Sequence, residues 1–120
     1  MAISNIPLLT GATLFSDTVN AATAVGVTSA STLIYEMELD NTANGAATYM
    51  RMYNIGSGSV TVGTTVPTSI IMVPASTKIT MVLPDGVTFG TALTLSSGTS
   101  ATLATTTAPS SSFAVKIVYV

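Results

Sequence analysis

The chain has 120 residues, a length typical of one domain, and we expect residues 1–120 to fold as a single unit. Charged residues make up only 7% of the sequence, the formal net charge is -2, and neither cysteine nor histidine occurs. These absences exclude a disulfide framework, a cysteine-ligated metal and histidine-based catalysis. Three cations are too few for a surface that follows phosphates, so we expect no nucleic-acid partner.

The start of the chain lacks the basic segment of a secretory signal, so we expect a protein made in the cytoplasm without export. The longest apolar runs, such as Ile70–Ala75, are far shorter than the ~20 residues of a spanning helix, which predicts no membrane partner. Serine and threonine supply 36 residues in place of charge. Because interface cores are depleted in charge, we expect partner subunits to cover much of the surface; a weakly charged monomer is the alternative.

Strand-forming residues dominate, and alternation marks the strands in chain order. The predicted strands are Thr13–Phe15, Thr23–Thr28, Thr32–Asp40, Ala47–Asn54, Val60–Val62, Ser69–Val73, Lys78–Leu83, Val87–Phe89 with Ala92–Leu95, and Phe113–Val120. Helix-length segments for parallel crossovers are missing. We therefore predict an all-β fold of about eight or nine short strands, an antiparallel β-sandwich with jelly-roll or related topology, or a small barrel.

The strand Thr32–Asp40 alternates most clearly. One face is predicted to carry Leu33, Tyr35, Met37 and Leu39, and the other Ile34, Glu36, Glu38 and Asp40. A turn over Asn41–Ala46 leads to Ala47–Asn54, which predicts a hairpin between the two strands.

Two further segments are predicted to be a turn and a loop. Pro84-Asp85-Gly86 is typical of a turn, in which Pro84 presets φ and Gly86 takes a positive φ. Ser96–Ser112, rich in serine, threonine and alanine, is predicted to be a mobile loop with one weak strand near Ala101–Thr105. By alternation, the last predicted strand, Phe113–Val120, places Phe113, Val115, Ile117 and Tyr119 on one face.

The carboxylates Glu36, Glu38 and Asp40 are the sharpest cluster of chemical groups. Alternation places them in a row about 6–7 Å apart, whereas calcium needs 6–8 converging oxygens and a glycosidase needs facing carboxylates. We therefore predict a stripe that faces solvent or an interface, paired with Arg51 or Lys78, and no required metal.

Nucleophilic catalysis would need a Ser–Lys dyad, because histidine is absent. The two lysines, Lys78 and Lys116, lie in no recognisable motif, so we predict no enzymatic activity and no cofactor. Tyr49, Arg51 and Tyr53 share one strand face. Tyrosine and arginine are enriched at interface hot spots, and an outward sheet face with cross-strand charge pairs is the compatible alternative.

Residues 1–9 are predicted to be an assembly arm. Ile3, Ile6, Leu8 and Leu9 are too apolar for a free tail, and Pro7 favours an extended backbone. Such a segment adds a strand to a neighbour's sheet edge or packs in its groove. The alternative is that it forms the first strand of its own domain.

Four motifs lie within Tyr49–Phe89, about a third of the chain: Tyr49-Met50-Arg51-Met52-Tyr53-Asn54, Thr61-Val62-Gly63-Thr64-Thr65-Val66-Pro67, Ile70-Ile71-Met72-Val73-Pro74-Ala75 and Leu83-Pro84-Asp85-Gly86-Val87-Thr88-Phe89. Together they resemble the small β-rich virion proteins of tailed bacteriophages, of the head-decoration or cement kind. The resemblance implies a β-sandwich that assembles, often as trimers, on a capsid lattice. It implies no catalytic residues.

We therefore expect a non-enzymatic virion protein, a capsid decoration protein that acts as a homo-oligomer, with a trimer favoured. Its partner would be the major capsid protein, whose neighbouring subunits it would bridge, adding to particle stability by mass action. The alternative is a tail-tip or fibre module that recognises a host-surface glycan.

Overall fold

A computed structural model describes residues 11–20 and 23–120. The described strands are β1 (Thr13–Thr18), β2 (Val25–Thr28), β3 (Thr32–Asp40), β4 (Thr48–Tyr53), β5 (Ser69–Val73), β6 (Lys78–Phe89), β7 (Leu93–Gly98) and β8 (Ala114–Tyr119). A short 3₁₀ helix, Ser57–Ser59, follows β4. The predicted all-β fold with eight strands is confirmed.

The strands form two four-stranded antiparallel sheets. Sheet A has the order β1-β8-β3-β6, and sheet B has the order β2-β7-β4-β5. The pairs are nested along the chain, because β1 pairs with β8, β2 with β7, β3 with β6 and β4 with β5. The edge strands are β1 and β6 in sheet A, and β2 and β5 in sheet B.

The inner faces of the two sheets pack on each other and form one core. Sheet A contributes Ile34, Met37, Leu39, Val115 and Ile117, and sheet B contributes Met50, Met52, Val73, Leu93 and Leu95. Each such side chain contributes about 1.5–3 kcal/mol when fully buried. The predicted inner face of β8 is confirmed, with Phe113 buried and Tyr119 packed against the core.

A β-bulge at Tyr35 interrupts the alternation of β3. In the register with β8, Ile34 pairs with Tyr119 and Glu36 with Val118, so Tyr35 is an extra residue. A single extra residue moves the following side chains to the opposite face. The predicted faces are therefore wrong before the bulge, where Leu33 lies outside the core, and the inward side chains are Thr32, Ile34, Met37 and Leu39.

The predicted hairpin between the third and fourth strands is also wrong. Strand β3 belongs to sheet A and β4 to sheet B, so residues 41–47 cross between the sheets. The side-chain amide of Asn41 donates hydrogen bonds to the carbonyls of Ala46 (2.9 Å), Val73 (3.2 Å) and Pro74 (3.0 Å). These bonds hold the connection against the end of β5 and direct the chain into sheet B.

The segment Pro84-Asp85-Gly86 was predicted to be a turn, but strand β6 continues through it. The segment forms an irregularity in the pairing of β6 with β3, at the edge of sheet A. Gly86 has the predicted positive φ, +74°, and a Cβ there would lie 2.7 Å from Cδ1 of Leu33. A proline is tolerated here because an edge strand does not need every N–H. The strands predicted at Val60–Val62 and near residues 101–105 are absent from the described structure.

Candidate functional site

The outer face of sheet A carries five of the chain's eight charged residues. Glu36, Glu38 and Asp40 share this face, as predicted. Lys116 lies beside Glu38, with its Nζ 4.0 Å from Oε1. Lys78 lies opposite Asp40 in the register of β6, whereas the other predicted partner, Arg51, lies in sheet B. Exposed ion pairs of this kind contribute about 0–1 kcal/mol, so the stripe adds little to stability.

Among the described residues, Asp40 is the one whose pKa is clearly shifted. The Thr42 hydroxyl (2.6 Å) and backbone N–H (3.0 Å) both donate to Oδ1 of Asp40. These bonds, the hydroxyl first, lower the pKa of Asp40 below its ordinary 3.8; Lys78 and Lys116 add to the effect, and partial desolvation opposes it. No three metal-ligating side chains converge within residues 11–20 and 23–120.

The outer face of sheet B is covered by the chain itself. Tyr49, Arg51 and Tyr53 share that face, as the alternation predicts, but Arg51 is 0% exposed and Tyr53 is 1% exposed. Tyr49 is half-buried. The expectation of an outward contact patch is therefore wrong for Arg51 and Tyr53. The physical reason is that residues 99–109 fold over the strand.

Arg51 fastens this cover to the sheet. The two protons of its Nη2 are shared among three backbone carbonyls, those of Ser100 (3.0 Å), Thr102 (3.1 Å) and Thr105 (2.8 Å). A Cβ on Gly98 would lie 3.2 Å from Nη2 and 3.3 Å from Nη1, so glycine leaves room for the guanidinium. Nε and Nη1 have no hydrogen-bond partner. Burying a cation is costly unless hydrogen bonds compensate it, which makes the three carbonyls essential to this arrangement.

A second loop, residues 54–68, completes the cover. Thr94 Oγ1 donates to the Ile55 carbonyl at 2.7 Å, and this bond ties the loop to β7. A Cβ on Gly63 would lie 2.7 Å from Cγ2 of Thr106, so the two loops are in close contact. The predicted loop Ser96–Ser112 begins later than expected, because strand β7 continues to Gly98. No alternation in the loop sequences indicates this packing.

The third surface is an apolar cleft between the edge strands β5 and β6, which sequence reasoning missed. It has a volume of about 190 Å³. Ile71, Met81 and Leu83 line it, and they are only partly buried against the core. Its lining residues, which fall within positions 34–89, include no charged side chain. Alternation identifies the inward residues of each strand, but the opening depends on how far apart the two edges lie.

Apolar side chains also flank the cleft on its outside. Ile70 and Met72 of β5 are 39% and 49% exposed, and Val82 of β6 is 67% exposed. Singly exposed apolar residues are ordinary on protein surfaces, but a contiguous apolar patch marks an interaction site. The cleft and its flanks, which we call the β5/β6 side, are therefore the candidate functional surface.

The predicted arm residues Ile3, Ile6, Leu8 and Leu9 lie outside the described residues, so their role stays a prediction. The described part of the chain contains no helix that is long and apolar enough to cross a membrane. The chain matches no protein-family model, no curated protein and no solved structure.

Proposed function

We propose that the protein is a non-enzymatic structural protein of a bacteriophage virion. In this role it is a decoration protein that binds the major capsid protein as a homotrimer and stabilises the head by bridging neighbouring capsid subunits. The observation that carries the proposal is the uncharged β5/β6 side, an apolar surface on a domain whose exposed charges are concentrated on sheet A. The resemblance of the motifs within Tyr49–Phe89 supplies the virion context.

The strand connections support the same proposal. The nested pairing of eight strands in two sheets supports our proposal of a jelly-roll topology, an architecture of viral capsid proteins and lectins. Architecture alone does not specify function, so this support is an analogy. It favours a scaffold that presents surfaces rather than a catalytic cleft.

The arrangement of the lysines supports a role without catalysis. Ser16 lies opposite Lys116 in the register of β1 and β8, which is the one serine–lysine neighbour pair that this register creates. Both residues are exposed, and the Lys116 ammonium lies beside Glu38. A catalytic lysine is activated by desolvation in an apolar pocket, which this open face does not provide.

The distribution of aromatic residues disfavours the alternative, a tail-tip or fibre module that binds a glycan. All seven aromatic residues fall within the described part of the chain, and each is buried or half-buried. Sugar rings stack on exposed aromatic faces, and no such platform is present among them. Selective binding to one glycan on an array would nevertheless favour this alternative and count against decoration.

The copy number per particle tests the proposal. We expect purified virions to contain hundreds of copies, located on the head, and we expect heads without the protein to release their DNA at a lower temperature. The measurements are quantitative mass spectrometry, electron cryomicroscopy and a DNA-release assay on particles with and without the gene. A few copies at the tail, or none in the particle, would contradict the proposal.

A further inference from the structure

We infer that the β5/β6 side receives the N-terminal segment Ala2–Leu9 of a second copy of this chain. The segment adds as a strand to the free edge of β5 and places the side chains of Ile6 and Leu8 in the apolar cleft. The inference names the self-contact on which the proposed trimer rests, and it says nothing about the contact with a capsid.

Among the four edge strands of the described sheets, β5 is the one suited to accept another strand. An edge strand exposes unpaired N–H and C=O groups, and proteins protect such edges with charges, short strands or covering loops. Strand β1 carries Asp17, and β6 carries Lys78 and Asp85. Strand β2 has only four residues, and Ser57 lies against its Gly26.

Strand β5 is the least protected of the four, since only its end is covered, where Asn41 bonds to the Val73 carbonyl. Its residues Ser69–Val73 include no charge, and its outward Ile70 and Met72 are exposed. On its inner side, Ile71 borders the cleft together with Met81 of β6. An added strand would therefore find free backbone groups along the edge and apolar surface on both faces of the sheet.

The N-terminal segment has the complementary pattern. Alternation places Ile6 and Leu8 on one face of an extended strand and Ile3 and Leu9 on the other. When the backbone groups of Ile6 and Leu8 bond to β5, the ring nitrogen of Pro7 faces away from the sheet, where no donor is needed. The segment carries no charged side chain, which matches the uncharged cleft.

The donor must be a second copy, because a chain cannot lay this segment along its own β5. Thr13 begins β1 at the opposite edge of sheet A. A strand added beyond β5 lies four strand spacings of about 4.8 Å and a sheet separation of about 10 Å from β1, which is about 22 Å in a straight line. The five residues from Leu8 to Thr13 span at most about 18 Å. Donation of this segment can close as a reciprocal exchange between two copies or as a head-to-tail ring, and the proposed trimer is a ring of this second kind.

Oligomeric state in solution tests the inference. We expect light scattering on the full chain at tens of micromolar to give an oligomer. Deletion of residues 2–9, Ile6→Lys and Met72→Lys should each yield a monomer whose melting temperature is within a few degrees of the wild type. Leu14→Lys is the matched control, because it places a lysine on an exposed apolar position of β1, and it should remain oligomeric.

Methionine methyl NMR locates the contact directly. A peptide of residues 1–10 added to the deletion variant should shift the methyl resonances of Met81 and Met52, which line the cleft. Met50, which lies opposite Ile71 but is fully buried and does not line the cleft, should shift less than Met81. The same peptide with Leu8→Lys should bind at least tenfold more weakly.

Four results would overturn the inference: a monomeric wild type, a deletion variant that remains oligomeric, a deletion variant that unfolds, or peptide binding that leaves Met81 unchanged. Unfolding would mean that the segment belongs to the core of its own domain. The outcomes for the proposed function are separate. Trimers that bind no phage head would support this contact and contradict the decoration proposal. A trimer that lacks residues 2–9 and still binds the capsid would contradict this contact and support decoration.

Discussion

Sheets A and B have the same number of strands and share one core, yet their outer faces differ. Sheet A presents Glu36, Glu38, Asp40, Lys78 and Lys116 on an uncovered face. The strands of sheet B contain one charged residue, Arg51, and it is buried beneath residues 99–109. The outer face of sheet A is solvated, whereas that of sheet B is covered over β4 and β7 and exposed along β5.

The cover over sheet B gives a second explanation for the low number of charged residues in the chain. We expected partner subunits to cover much of an uncharged surface, but the outer face of sheet B is covered by loops of the same chain. Thr94 and Ser96 are buried there as hydrogen-bonded strand residues. In the proposed assembly, the surface that a partner would cover is the β5/β6 side, which is a smaller and more specific surface.

Removing one cationic side chain from each sheet should give the largest difference in stability between the two faces. We expect Arg51→Ala to lower the free energy of unfolding by about 3 kcal/mol or more, because three carbonyls lose their donor and each unsatisfied buried group costs about 1–3 kcal/mol. Lys116→Ala removes an exposed ion pair and should cost less than about 0.5 kcal/mol. Urea titration measures both values.

Limited proteolysis adds a local measurement to the same pair of variants. Cleavage within residues 99–109 should accelerate in Arg51→Ala and not in Lys116→Ala. Arg51→Lys keeps the charge but offers fewer directed donors, so its loss of stability should be intermediate. Equal losses in Arg51→Ala and Lys116→Ala would contradict the distinction between the two faces.

A glycine where the covering loops meet sharpens the comparison within sheet B. Gly63 has a φ of +92°, and an added Cβ would lie 2.7 Å from Cγ2 of Thr106. We expect Gly63→Ala to cost about 1–3 kcal/mol in thermal or chemical unfolding, because both the backbone conformation and the contact are unfavourable. Gly90→Ala, with nothing within 4 Å of its Cβ, is the control and should be nearly neutral.

A second substitution separates the two causes. Thr106→Ser removes the methyl group that the new Cβ would meet, so Gly63→Ala combined with Thr106→Ser should recover the steric part of the loss. The part due to the positive φ should remain. If Gly63→Ala is as stable as Gly90→Ala, the loops do not pack together as described.

The smallest expected effect belongs to the exposed face of sheet A. Because the pKa of Asp40 is lowered in the folded protein, its carboxylate stabilises the fold above about pH 4, and this contribution is lost as the pH falls through the lowered pKa. Asp40→Asn should therefore be less stable than the wild type by under about 1 kcal/mol at pH 6, and the difference should shrink as the pH falls below about 4. Urea titrations at several pH values measure the difference, and a constant difference would contradict the assignment.

The sequence predicted the sheet face on which Arg51 lies, but it did not predict that the covering loop would bury the side chain. Alternation along β4 correctly separates Arg51 from Met50 and Met52. The cover comes from a loop without periodicity, held by backbone carbonyls that every residue possesses. Gly98 was the available signal, since a glycine beside a buried strand indicates close approach of another group. No sequence rule connects it to Arg51.

The errors in β3 have a similar origin. The bulge at Tyr35 adds one residue, and a sequence gives no sign of where alternation restarts. The segment after β3 contains Asn44-Gly45, which is typical of a hairpin, but the buried amide of Asn41 bonds to the end of β5 and directs the chain into the other sheet. Local patterns predicted the strands, whereas long-range hydrogen bonds determined their partners.

The nested pairing of the strands constrains when the protein can fold. Thr13 of β1 pairs with Tyr119 of β8, and β8 lies between β1 and β3. During synthesis, sheet A therefore keeps an open gap at its centre until the ribosome has delivered β8, and the nearest-neighbour pair β4–β5 is the first that can form. Proteins dominated by such distant contacts fold in milliseconds to seconds, the slow end of the range for small domains. We expect slow refolding, and we expect β1, whose partner β8 is synthesised last, to remain unpaired for the longest time.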